Sequence, residues 1–185
     1  MDTMTPPTLQ DSPLDRQGLR AAFFAQWDED WLRSAFLRLI QTGNGPNGAT
    51  LIGEGHHFTA WLMARDTPLP LVLKVAKPTF GNGLMVERQR WAKSMQRVRA
   101  AKIPVIPPFR ILWEGEEMAI VSPYMPEKVP LSDAMTEWQD LETALRSLHL
   151  RLADQPCFGR VCGLVYLVDW SDLEELPRRP GQRGP

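Results

Sequence analysis

Cysteine is nearly absent. Cys157 and Cys162 are the only two in 185 residues, and there are three histidines. That excludes a disulfide framework, and it leaves no second Cys pair or His cluster to build a structural zinc site. A chain with so few thiols is expected in a reducing compartment, here the cytoplasm. Long apolar runs are also missing: nothing approaches the ~20 residues of a membrane-spanning helix. The stretch Met1 to Pro13 carries Asp and Pro where a secretory signal needs basic and then apolar residues, so no membrane partner is expected. Charge of one sign is lacking too. With 21 Lys and Arg against 22 Asp and Glu, the net charge is −1, and no overall field draws the chain to nucleic acid. No Gly-x-Ser-x-Gly elbow surrounds Ser132, Ser147 or Ser171, which removes the usual serine-hydrolase arrangement. No internal repeat is present.

What is there is ordinary globular composition, 43% hydrophobic and 23% charged, enough for one domain or two small lobes sharing a core. Residues 1–14, rich in Pro, Thr and Asp, are expected to be a disordered lead-in. Over 15–47 a helical extension follows. Phe23, Trp27 and Trp31 form one apolar series, and Leu32, Phe36, Leu39 and Ile40 another, which fits one kinked helix or two short ones. The turn formers from Gly43 to Gly48 stop it. Strand patterns then cover Thr50–Ile52, Phe58–Met63 and Leu69–Val75. A helix is expected from about Leu84 to Lys102, with Trp91, Met95 and Val98 on its apolar face. Its basic residues between Arg88 and Arg99 are expected to be solvated. Phe109–Trp113 and Met118–Val121 read as a hairpin. Beyond the prolines at 123, 126 and 130, Thr136-Glu137-Trp138-Gln139 has the form of a capping box opening another helix. Leu164–Val168 is an apolar strand ending at Asp169. The tail 177–185, of Arg, Pro and Gly, is expected to be disordered. Of seven tryptophans, Trp27, Trp31, Trp91 and Trp138 sit at core-type spacing.

Three features could carry chemistry. Gly53-Glu54-Gly55 lies between two strands, where glycines let backbone N–H groups approach a phosphate or merely close a hairpin. His56 and His57 beside it either contact such a phosphate or are exposed turn residues. Lys74 interrupts an apolar strand. It is either a buried cation awaiting an anion or a residue on the wet face of an edge strand. Glu87 shares the helical stripe of Trp91 and Met95, so it either points inward toward a cation such as Lys74 or stabilises the helix N-terminus. Asp169, at a strand end, either holds a hard metal ion or, with Ser171, caps a following helix.

The set Gly53-Glu54-Gly55-His56-His57-Phe58-Thr59-Ala60, Leu71-Val72-Leu73-Lys74 and Glu87 resembles the nucleotide-binding lobe of the protein-kinase-like superfamily. Val121-Ser122-Pro123-Tyr124-Met125 falls where that family has its hinge. Leu167-Val168-Asp169-Trp170 resembles the Asp-Trp form of its metal aspartate in aminoglycoside-type phosphotransferases. The resemblance, over roughly residues 48–173, implies an α+β two-lobe fold. Residues 48–122 would form a five-stranded antiparallel N-lobe sheet with one helix, and 123–176 a truncated, mainly helical C-lobe. It implies ATP and Mg²⁺ as cofactors. Gly53, Gly55, Lys74, Glu87 and Tyr124 would bind nucleotide, Asp169 metal, and Asp154 would orient the acceptor. The sequence departs from the pattern in places. Phe58 stands where the third glycine falls, Gly159 replaces the metal-binding Asn expected after Asp154, and no Asn follows Asn82. Two functions follow from the resemblance: an ATP-dependent phosphotransferase acting on a protein hydroxyl or a small molecule, or a pseudokinase that binds nucleotide or a protein without turnover. A protein partner would dock on the N-terminal helices or the incomplete C-lobe. A structural α+β protein with a coincidental glycine turn is the third reading.

Overall fold

The computed structural model describes residues 15–45, 48–64, 66–171 and 173–176. The expected disordered segments 1–14 and 177–185 lie outside the described residues, as does Asp172. The helical extension is two helices. α1 (Arg16–Gln26) is capped by Asp15, whose carboxylate accepts from the Gly18 N–H at 2.6 Å. Asp28 interrupts the run and caps α2 (Glu29–Thr42) through the Trp31 N–H at 2.8 Å. An Asx residue satisfies orphan amides at a helix start better than it serves a helix interior, so the break falls there. Gly43, at φ +68°, closes α2.

Five strands follow the apolar runs: β1 (Thr50–Glu54), β2 (Phe58–Met63), β3 (Leu71–Ala76), β4 (Arg110–Glu114) and β5 (Glu117–Pro123). They form one antiparallel sheet in the order β1-β2-β3-β5-β4. Alternation along β3 and β5 gives the sheet two apolar faces. Leu71, Leu73, Ala119 and Val121 pack under α1 and α2 against Leu19, Phe23, Leu32 and Phe36. Ala76, Met118 and Ile120 pack on the other side, against Met95 and Val98 of α3 (Met85–Ala100). Burying an aromatic ring such as Phe23 or Phe36 stabilises the fold by roughly 1.5–3 kcal/mol. β3 is therefore the centre of a helix–sheet–helix stack, and the edge-strand account of Lys74 is excluded.

The remainder holds β6 (Glu127–Val129), a 3-10 turn at Leu131–Ala134, α4 (Met135–Ser147), β7 (Leu150–Leu152), β8 (Phe158–Val161), β9 (Leu164–Leu167) and β10 (Leu173–Glu175). β6, β8 and β9 form one small sheet, and β7 pairs with β10. The expectation of a mainly helical C-terminal part is thus corrected: among the described residues it has one α-helix and five short strands. Helix start also differs from the capping-box reading. The 3-10 turn feeds directly into α4, so Thr136 lies inside the helix and no side chain caps it. Leu141, Leu145, Leu150, Phe158, Leu167 and Trp170 join the α3 side of the sheet in one core. The fold is mixed α+β, with four α-helices among the described residues and no helix long and apolar enough to cross a membrane.

Arg88 departs most from expectation. Only 6% exposed, it donates to the carbonyls of Phe80 (3.2 Å), Glu116 (2.7 Å), Lys77 (3.1 Å) and Pro78 (3.2 Å). It staples the β3–α3 loop to the β4–β5 turn instead of lining a solvated face. Trp31 is partly exposed and lies against Trp27, ring centroids 4.8 Å apart.

Candidate functional site

A cleft of about 330 Å³ opens between the large sheet and the C-terminal strands. Its apolar walls are Ile52, Phe58, Ala60 and Val72 above and Met125 and Val168 below. Local register explains the upper wall. The β1–β2 pairing slips between Leu51 and Gly53, a bulge that re-aims Ile52 into the cleft. Gly55 N–H then bonds the Phe58 carbonyl at 2.8 Å and closes the hairpin. Neither glycine has a positive φ. A Cβ at Gly53 would meet open space, and one at Gly55 would make only ordinary contact with the Phe58 carbonyl at 3.5 Å. The protein's own packing does not require glycine at either place.

Lys74 marks the inner end. Its side chain is 12% exposed, and its Nζ lies 3.2 Å from the Val168 carbonyl, 3.2 Å from Ser171 Oγ and 3.8 Å from Asp169 Oδ1. Asp169 is 46% exposed, so one carboxylate edge faces the cleft beside a half-sequestered ammonium. The segment carrying it is well held. Val168 N–H donates to the Cys157 carbonyl at 2.7 Å, and Trp91 Nε1 to the Ser171 carbonyl at 3.2 Å. Trp170 packs on Phe109 at 4.4 Å. Ser171 caps no helix: β10 follows it. Cys157 has its thiol pushed up, first by burial and then by Asp169, with Lys128 and Lys74 opposing. At the outer end Ser122, Pro123, Tyr124 and Met125 line the edge of the cleft, and Tyr124 N–H is held by the Pro70 carbonyl at 2.8 Å.

Of the residues singled out from the sequence, Gly53, Gly55, Lys74, Tyr124 and Asp169 line this one cleft. Glu87 and Asp154 do not. Glu87 turns to Arg90, one helical turn on, at 2.7 Å. A flexible guanidinium at i+3 on the same surface offers a carboxylate an ion pair without desolvation. Asp154 lines a separate cavity with Trp138, Glu142, Arg146 and Arg151. His57 reaches the cleft and leans on Phe80 at 5.2 Å, whereas His56 stays exposed. Ser122 lies within the hinge-like run and Val168 beside Asp169, but neither was named as a site residue, and Ile52 and Val72 were not named either. For Ser122 and Val168 those places were the only signal.

No protein-family model matches the sequence, and a search of curated proteins finds no match. The chemistry rests on the geometry. The cleft falls in the usual range of small-ligand sites, mostly apolar with a few converging polar groups. Ile52, Ala60 and Val72 line one side of it and Met125 and Val168 the other. Among the described residues no cluster of three or more His, Cys, Asp or Glu gathers to cage a metal. Mg²⁺ takes one or two carboxylates and completes its shell with phosphate oxygens and water; Glu54 and Asp169 are the carboxylates that line the cleft.

Proposed function

We propose that this chain is a nucleotide-binding module of kinase-like, two-lobed architecture that acts by binding, not by phosphoryl transfer. One observation carries the reading. Lys74 and Asp169 meet at 3.8 Å at the inner end of an apolar cleft, while Asp154 and Glu87 stand elsewhere. Transfer of a phosphoryl group needs a carboxylate at the acceptor hydroxyl and a glutamate holding the strand lysine. Here the first lines another cavity and the second is paired with Arg90. Mg-ATP is the nucleotide the lining favours: apolar walls for the base, Lys74 for phosphate oxygens, Asp169 for the metal.

A phosphotransferase acting on a protein hydroxyl or a small molecule is the second reading, favoured by the same Lys74–Asp169 pair. Thermal unfolding with and without Mg-ATP separates these from a purely structural role. A ligand that binds only the folded state adds about 2.7 kcal/mol at a hundredfold excess over Kd. Wild type should show a raised midpoint and Lys74→Ala should lose it. No shift at millimolar Mg-ATP would remove the nucleotide reading. Phosphate release that vanishes in Asp169→Ala would replace the binding module with the enzyme.

A further inference from the structure

On the far side of α3 a second, larger concavity of about 510 Å³ is walled by α1, the end of α3, the 103–109 loop and Tyr166. Arg16, Arg20, Arg99 and Lys102 line it, and no acidic side chain does. None of the four forms a salt bridge among the described residues. Arg110 adds a fifth cation near by, its guanidinium over the Phe24 ring at 4.7 Å and Arg20's over the same ring at 5.5 Å. Arg99 is stacked on Phe109 at 4.5 Å and donates to that residue's carbonyl at 2.9 Å, but its Nε is buried without a partner. Burial, then Arg20 and Arg110, lowers its proton affinity: its charged neighbours are cations.

A helix C-terminus attracts basic residues on its own account, which accounts for Arg99 and Lys102. It does not account for Arg16 and Arg20, on the first turns of a different helix, where the dipole disfavours a cation. Arg16 has a structural task, donating to the Pro104 and Val165 carbonyls at 2.8 and 2.9 Å. Arg20 has no hydrogen-bond acceptor among the described residues. Lys102 is held at the rim with φ +51°, a left-handed conformation that costs a non-glycine residue of order 1 kcal/mol. The Pro104, Pro107 and Pro108 wall offers no N–H groups, so an extended acidic peptide could not add to it as a strand. A compact polyanion suits the concavity better, because guanidinium forks match phosphate oxygens.

We infer that this concavity is a second ligand site, for a molecule carrying two or more adjacent phosphates, held by Arg20, Arg99 and Lys102. It stands independently of the nucleotide reading. The test is calorimetric titration with sodium tripolyphosphate, run against sulfate at matched ionic strength. The proteins are wild type, Lys74→Ala and the double variant Arg20→Glu/Lys102→Glu, whose two exposed side chains take no part in the core. Lys74→Ala, whose cleft has lost its cation, should keep a tripolyphosphate site, and the double variant should lose that site's affinity by at least about tenfold, the loss of one good charged contact. Three results would overturn the inference: sulfate binding as tightly as tripolyphosphate, unchanged binding by the double variant, or binding lost in Lys74→Ala alone, which would move the phosphate to the cleft. Vesicles bearing phosphatylated inositol headgroups then separate the sources. Pelleting displaced by tripolyphosphate assigns a lipid headgroup, and tripolyphosphate binding without pelleting assigns a soluble phosphate; both uphold the site.

Discussion

Replacing Arg88 by Met removes a buried guanidinium while keeping much of its apolar stem. Four carbonyl oxygens, from Phe80, Glu116, Lys77 and Pro78, lose their donor. A hydrogen bond to a charged group contributes about 1.5–3 kcal/mol net. Lys77 and Pro78 belong to a loop that can regain water, so two full losses are a fair lower bound. The expected destabilisation is therefore roughly 3–6 kcal/mol, in the range reserved for broken buried networks. Urea unfolding followed by tryptophan fluorescence measures it, since Trp91 sits one turn from Arg88. The damage should spread to the cleft. Phe80, anchored through its carbonyl, supports His57 at 5.2 Å and Phe58 at 4.9 Å, so nucleotide-dependent stabilisation should shrink even below the new midpoint. Arg88→Lys should recover only part of the loss, because one ammonium cannot span acceptors on both sides. A cost under about 1 kcal/mol for Arg88→Met would refute the staple and return this residue to the surface.

Gly159 on β8 has no room for a methyl group: a Cβ would lie 2.7 Å from Met125 Cβ and 3.0 Å from Val168 Cγ2. Gly159→Ala should cost roughly 1–3 kcal/mol and weaken nucleotide binding, since both neighbours wall the cleft; an unchanged melting midpoint would contradict this packing. Both thiols are pushed up, Cys157 and Cys162 alike, by burial first. Less thiolate is present at a given pH, so iodoacetamide labelling followed by mass spectrometry should lag a free thiol and reach half its maximum at higher pH. A folded-state pKa above the unfolded one gives stability present below the ordinary thiol range and lost as pH rises through the folded value.

Apolar runs of five to seven residues were legible: β2, β3 and the β4–β5 hairpin stand within one or two residues of where those runs placed them. Strands of three or four residues, such as β6, β7 and β10, are too short for a period to register, so the C-terminal part looked helical around its one good amphipathic stretch. Gly53, Gly55, Lys74 and Asp169 stood out because each breaks a local pattern, a glycine pair in a hairpin or a charge at an apolar strand, whereas Tyr124 was named only by its place in the hinge-like run. Of the two readings of Glu87, its place in the first turn of α3 fits the helix-start one, and the inward one toward Lys74 is not met. That inward reading and the solvated reading of Arg88 miss for a shared reason. Helical phase says which way a Cα faces, but a long side chain ends several ångströms away, and its end group goes where partners are. Those partners, Arg90 on one side and four loop carbonyls on the other, are set by tertiary structure. Thr136 failed similarly, because a 3-10 turn of unremarkable sequence, Leu131–Ala134, opened the helix before the cap motif.

The two glycines and the lysine stand on mechanically unequal supports. β1 is the outermost strand, with all five residues exposed and a single neighbour. β3 has neighbours on both sides and helices over both faces. The cleft accordingly has one rigid jaw and one compliant jaw. Whatever enters finds its cation already fixed, and the work of closing falls almost entirely on β1. Affinity can then be adjusted through changes at Ile52 on the outer jaw without touching the charged end.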